Sequence, residues 1–214
     1  MDAMDTPPPG LREAKKQESR QLISDAATRL FLAQGFERTT IAEIAAAARV
    51  AKKTVTNYFP HKEDLALDQQ DAFVSSLAGT VSERLPGESA AGALRRAFAG
   101  AVASADPVVG FSGPGFARMV ADSPTLTSRL RDLHDLREAA LARALAEATG
   151  ADADDIAVRT AAGMLGAVHR VLFDLVQRLT LAGHDTEHIR AEAEAAATRA
   201  FGLLEPALGD YATA

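Results

Sequence analysis

TTIAEIAAAARVAKKTVTNYFPHKEDL, residues 39–65, carries two short helical patterns joined at a tight turn, with a third beginning after Pro60. Ile41, Ile44 and Ala45 recur at i, i+3 and i+4, which gives the first helix one apolar side. Thr40 stands just before it, where a hydroxyl accepts from an unpaired first-turn amide. The periodicity breaks at Arg49-Val50-Ala51, and a second helix is expected from Lys52 to Tyr58. On that helix Val55 and Phe59 face inward, leaving Lys52, Lys53, Thr54, Thr56 and Asn57 outward. Cations, hydroxyls and an amide on a short helix, braced by another across a turn, suit a major groove, where base edges and phosphates lie together. Pro60 ends the helix, and Lys62-Glu63-Asp64 opens the next.

Residues 17–67 resemble the DNA-binding region of TetR-family transcriptional regulators. The matching features are Leu30-Phe31, Gly35-Phe36, Thr39-Thr40, Ile44-Ala45, Val50, Thr54-Val55, Tyr58-Phe59-Pro60 and Lys62-Glu63-Leu65, in order and at the family's spacing. The resemblance implies an all-α protein with an N-terminal three-helix helix-turn-helix head and a C-terminal helical body for ligand binding and dimerisation. It also implies a homodimer that binds double-stranded operator DNA and responds to a small molecule; separately, no P-loop, dinucleotide glycine fingerprint or cofactor lysine motif occurs in the sequence, and no cofactor or metal is expected. Carried onto this chain, bases fall to Lys52, Lys53, Thr54 and Asn57, and phosphates to Thr40, Tyr58, His61 and Lys62, with Thr39 and Thr56 completing the DNA-binding set. Four positions depart from the family pattern. Arg49 stands where Gly is usual, in a turn that often goes left-handed, at a cost of about 1 kcal/mol. Ala51 replaces a capping Ser, so Thr54 or a phosphate would have to satisfy the early amides. Lys53 replaces a Gly, and Thr56 an aromatic residue.

The whole chain has 214 residues, 47% hydrophobic and 24% charged, an ordinary composition for a folded protein with a real core. Absence of cysteine excludes disulfides, thiolate metal sites and cysteine nucleophiles. No unbroken apolar run approaches the roughly 20 residues of a membrane span. MDAMDTPPPG at the N-terminus has acids and prolines where a signal peptide needs a basic and then an apolar region, so the expected location is cytoplasmic. The net charge of −6 looks wrong for a DNA binder until it is divided. Residues 11–62 hold ten cations against five acids, a surplus of five, which leaves −11 on the remainder. A basic head on an acidic body fits that division; basic residues decorating a solvated surface fit it equally.

Residues 1–15 are expected to form a disordered arm, residues 16–66 the head and residues 67–214 the body. Arg12, Lys15 and Lys16 could reach a minor groove from that arm, or simply solubilise a tail. Leu22, Ile23, Ala26, Ala27, Leu30 and Phe31 form an amphipathic pattern ended by Gly35, and a long connecting helix is expected from Lys62 to about Leu85. From Ser89 onward only helical periodicity occurs, with Ser123-Pro124 and Asp185 as helix openers. The last two helices are rich in small residues, including Ala161, Gly166, Ala167 and Ala193, and suit either a dimeric four-helix interface or close packing within one chain.

The chemistry of catalysis is poorly represented. Gly110-Phe111-Ser112-Gly113-Pro114 imitates a nucleophile elbow but has Pro for the last Gly and no strand before it; a flexible loop at a ligand entrance is the better reading. His184 and His188 lie four apart without the H-E-x-x-H pattern, and read as exposed side chains. His134 and His169, each within an apolar helical stretch, are candidate ligand contacts, with Phe98, Phe111, Phe116, Met119, Met164 and Phe173 as candidate pocket walls. The sequence thus points to a ligand-responsive transcriptional regulator, most simply a repressor, and not to an enzyme. The competing reading is a helical small-molecule-binding protein or enzyme that has lost DNA binding.

Overall fold

Ile23, Ala27 and Phe31 recur along one side of the first helix, α1 (Pro9–Gln34), and all three are buried. The structure is a computed structural model that describes residues 9–214, with side chains from residue 13 onward. Residues 9–15 of the expected arm are already helical; residues 1–8 of it lie outside the described residues. The chain divides after Asp68 into two units.

In the first unit α1 packs against α2 (Ile41–Ala47) and α4 (Lys62–Ala66), and α2 packs against α3 (Lys52–Tyr58). Phe31, Phe36, Ile44, Val55, Phe59 and Leu65 fill its centre. Gly35 ends α1 at φ 87°, a conformation that favours glycine. Arg49, at φ 56°, turns the chain between α2 and α3 in the left-handed region, as the departure from glycine there anticipates.

The helix expected over residues 62–85 is interrupted. It is α4, then a break over residues 67–69, then α5 (Gln70–Ser82). Leu67 adopts ψ 51°, and the Asp68 carboxylate accepts from the buried Ser24 hydroxyl on α1. The helical stretch between Lys62 and Ser82 is thus in two pieces, with residues 67–69 between them.

The second unit contains α5, α6 (Ala90–Ala103), a 3-10 turn (Pro107–Val109), α7 (Pro114–Asp122), α8 (Pro124–Thr149), α9 (Ile156–Leu181) and α10 (Thr186–Leu208). No strand occurs among the described residues. Ser123 caps α8 by accepting from the Leu126 amide at 3.1 Å, Pro124 occupies its first position, and Gly150 ends it. Asp185 caps α10 in the same way. α5 lies along α8, α8 along α9, and α10 along both α6 and α9. Leu94, Leu141, Leu145, Leu165, Leu172 and Val176 are almost wholly buried between them. Each contributes roughly 1.5–3 kcal/mol on burial, so losing one removes a large part of a typical domain's stability.

α9 is long and apolar enough to cross a membrane by length and composition, in contrast to the expectation from unbroken apolar runs. Its buried Leu165, Leu172 and Val176 and its charged Arg159, Arg170, Asp174 and Arg178 make it an amphipathic core helix instead. The small residues of α9 serve two surroundings. Ala161, Ala162 and Gly166 are buried, and a Cβ on Gly166 would come within 3.1 Å of the Glu138 carboxylate of α8. Gly166 therefore allows close packing within the chain. Ala167, by contrast, is exposed.

Candidate nucleic-acid face and effector site

α3 is placed by its two apolar anchors. Val55 and Phe59 are 0% and 1% exposed, which leaves Lys52, Lys53 and Asn57 exposed and Thr54, Thr56 and Tyr58 partly so. The Arg20 guanidinium of α1 sits 4.4 Å above the Phe59 ring and donates to the Tyr58 carbonyl at 3.3 Å, bracing the end of α3. Sequence reading missed Arg20, because its role depends on a residue 38 positions away. Ala51 offers no side-chain cap to α3. The Thr54 amide pairs with the Ala51 carbonyl at 2.8 Å, and the Thr56 hydroxyl turns back to the Lys53 carbonyl at 3.1 Å.

Thr40 is exposed and forms a capping box with Glu43. Its side chain accepts from the Glu43 amide at 3.2 Å and donates to the carboxylate at 2.8 Å. The same carboxylate accepts from the Thr40 amide, and these bonds hold its pKa below the usual range. His61 is exposed at the start of α4, where its amide donates to Asp64 at 3.0 Å.

Two residues expected to meet DNA are committed elsewhere. Thr39 is 1% exposed; its hydroxyl donates to the Gly35 carbonyl at 2.8 Å and accepts from Gln34, closing the α1–α2 turn. The Lys62 ammonium donates to the carbonyls of Phe36, Thr39 and Glu37 at 3.0, 3.2 and 3.4 Å, and lies over the Phe36 ring. It ties that same turn down, with its N–H donors directed to these three carbonyls.

In the second unit the candidate ligand residues separate into two ring clusters. Phe73 of α5, His134 of α8 and Phe173 of α9 meet edge-on in a triangle with centroids 5.1–5.8 Å apart. Phe98 of α6 and Phe201 of α10 flank His169 of α9 at 5.8 and 5.7 Å. Neither cluster includes Phe111 or Phe116 among the described residues. Phe111 and Met164 pack on the central core, while Phe116 and Met119 lie on α7.

The missed residue here is Arg137. It is 3% exposed, its guanidinium lies 4.4 Å above Phe73, and its Nε donates to the Ser76 hydroxyl at 2.9 Å. Burial lowers it to about 10, so it remains cationic at neutral pH. Burial, then the charge of Arg137, lowers His134 to about 4 and His169 to about 3. Both imidazoles are therefore neutral at pH 7, and the Nε2 atom of each is buried without a hydrogen-bond partner. One sequence signal was available: Leu126, Leu133, Arg137, Leu141 and Leu145 recur along α8 at steps of seven and four and are all buried, whereas Leu136 is 50% exposed.

The loop before α7 is anchored. Gln177 of α9 donates to the Gly110 carbonyl at 2.6 Å and the Ser112 hydroxyl at 3.0 Å. Gly110 has φ 110°, and a Cβ there would lie 3.1 Å from the Phe173 carbonyl. This glycine serves close approach, where a mobile entrance was expected. His184 and His188 stack at 4.4 Å, and among the described residues no group of three or more potential ligands could hold a metal.

Residues 23–68 match the model of the bacterial regulatory proteins, tetR family. The chain is 32% identical over 152 residues to the HTH-type transcriptional regulator TcmR of Streptomyces glaucescens, covering 69% of this chain and 67% of that protein. Among solved structures, Salmonella enterica GusR superposes with a TM-score of 0.53 at 20% identity, over 90% of this chain and 96% of its own. NalD of Pseudomonas aeruginosa, the secondary repressor of the MexAB-OprM multidrug efflux pump, gives 0.52 at 18%, over 87% and 97%. These two structures establish likeness of fold alone.

Proposed function

The chain belongs to the TetR family of transcriptional regulators, and from that premise we propose that it is a repressor, holding a palindromic operator as a homodimer until a small, largely apolar effector releases it. The observation that carries the reading is the outward face of α3. Lys52, Lys53 and Asn57 are exposed together on a helix pinned from behind by Val55 and Phe59. Lys52, Lys53, Thr54 and Asn57 read bases, and Thr40, Tyr58 and His61 hold phosphates.

A palindrome requires two heads. Exposed apolar side chains Ile156 and Val171 on α9 and Leu203 on α10 support an interface between copies through these helices. In this reading residues 16–66 form the head, residues 67–214 bind ligand and dimerise, and the protein acts in the cytoplasm. Occupying the duplex is enough to repress. Release follows if the ligand prefers a conformation in which the head spacing misfits the operator.

Fluorescence anisotropy with DNA from upstream of the protein's own coding region tests the reading. Specific binding that weakens steeply with salt is expected, because phosphate contacts displace counterions. Equal affinity for that DNA and for a scrambled duplex would favour the small-molecule-binding alternative.

A further inference from the structure

Buried polarity in the second unit is incompletely matched. Among the described residues Arg137 has no carboxylate partner: its polar contact is the Ser76 hydroxyl, and its face lies on Phe73. Phe73 in turn meets the His134 ring at 5.1 Å. His134 and His169 each bury an Nε2 atom with no partner. A buried cation and two idle ring nitrogens are costly unless something completes them. Water could satisfy the imidazoles, but it supplies no countercharge to a guanidinium.

We propose that Arg137, with the Nε2 atom of His134, which packs on the same Phe73 ring, receives the single oxyanion of an otherwise aromatic effector. This rests on the reading that the second unit binds the effector. A guanidinium fork matches the two oxygens of a carboxylate, and neutral imidazoles can donate to them. One anionic group is the right number. The other nearby cation, Arg170, is already paired with Asp135 at 3.1 Å and lies 3.8 Å from Glu138. Phe73, Phe173, Phe98 and Phe201 present ring edges and faces around the imidazoles, which suits a flat apolar body.

The test uses the full-length protein and paired probes: benzoate, naphthoate and anthracene carboxylate, each against its uncharged primary amide. Thermal melting followed by circular dichroism and equilibrium dialysis measure binding at neutral pH. The best acid should bind at least about tenfold tighter than its amide, the expected worth of one charge-assisted pair. Arg137→Met should abolish that preference while remaining folded, since an apolar isostere of a buried cation is often tolerated. Arg137→Lys, which keeps the charge but loses the fork, should reduce the preference without abolishing it; if the Met variant does not fold, a preference unchanged in Arg137→Lys overturns the proposal. Amides binding as well as acids, a preference that survives Arg137→Met, or no acid raising the melting temperature would each overturn the proposal. Mass spectrometry of molecules retained by the native protein separates the two readings. An uncharged retained molecule that releases DNA overturns the Arg137 assignment and spares effector release. An acid that binds through Arg137 without releasing DNA does the reverse.

Discussion

The Lys62 ammonium lies 3.0 Å from the Phe36 carbonyl oxygen and 4.2 Å above the Phe36 ring. One side chain thereby holds the turn between α1 and α2 by hydrogen bonds and by its charge. Lys62→Ala should destabilise the first unit by about 1–3 kcal/mol, the cost of leaving polar groups there unpaired. Urea denaturation measures this. An unchanged midpoint together with a clean loss of DNA affinity would return Lys62 to the phosphate contacts.

Lys53 should behave differently, because it is exposed and holds no part of the fold. Lys53→Ala should leave the denaturation midpoint in place, weaken operator binding and relax base preference. If Lys53 also met a phosphate, the salt slope would fall by about 0.9. Parallel losses on operator and random DNA would argue against base reading.

Arg49 occupies φ 56°, a conformation that costs a side-chain-bearing residue about 1 kcal/mol. Arg49→Gly should therefore raise the midpoint by a comparable amount. A decrease would mean that the arginine makes a compensating contact.

The proposed dimer is tested through its exposed apolar residues. Val171→Arg combined with Leu203→Arg should yield a monomer by sedimentation at micromolar concentration. Gly166→Leu should instead lower stability, since its Cβ would crowd Glu138 at 3.1 Å. Dissociation by the glycine variant, with the double variant still dimeric, would reverse these assignments.

Acid should destabilise the second unit in a defined window. His134 and His169 have folded values of about 4 and about 3, below their ordinary 6.5, so the unfolded chain binds the extra protons. Their contribution is complete above pH 6.5 and is lost as pH falls towards 4 and then 3, by up to about 1.4 kcal/mol per pH unit each. Melting between pH 7 and pH 5 keeps most carboxylates out of the measurement. His134→Gln should flatten the slope there, and an unchanged slope would refute the assignment.

What could be read from sequence was local. The bounds of α3, the caps at Thr40, Ser123 and Asp185, and the left-handed Arg49 follow from neighbours within one helical turn. The structural ties of Lys62 leave no local trace, because its partner carbonyls lie 23 to 26 residues earlier, in a turn whose shape no short pattern reports. The break between α4 and α5 leaves no mark in the local periodicity, and the Asp68 bond to Ser24 beside it spans 44 positions. Arg137 departs from the local expectation, because arginine among leucines ordinarily marks a solvated face and this one is buried.

Along α9, His169, Phe173 and Gln177 follow one another at intervals of four, so they share one stripe at steps of roughly 6 Å. The first carries an idle nitrogen, the second closes a ring triangle and sits against Gly110, and the third grips the loop before α7. A stiff helix bearing all three acts like a camshaft. Any rotation that reorients the imidazole turns the phenyl ring and the loop's fastening through the same angle.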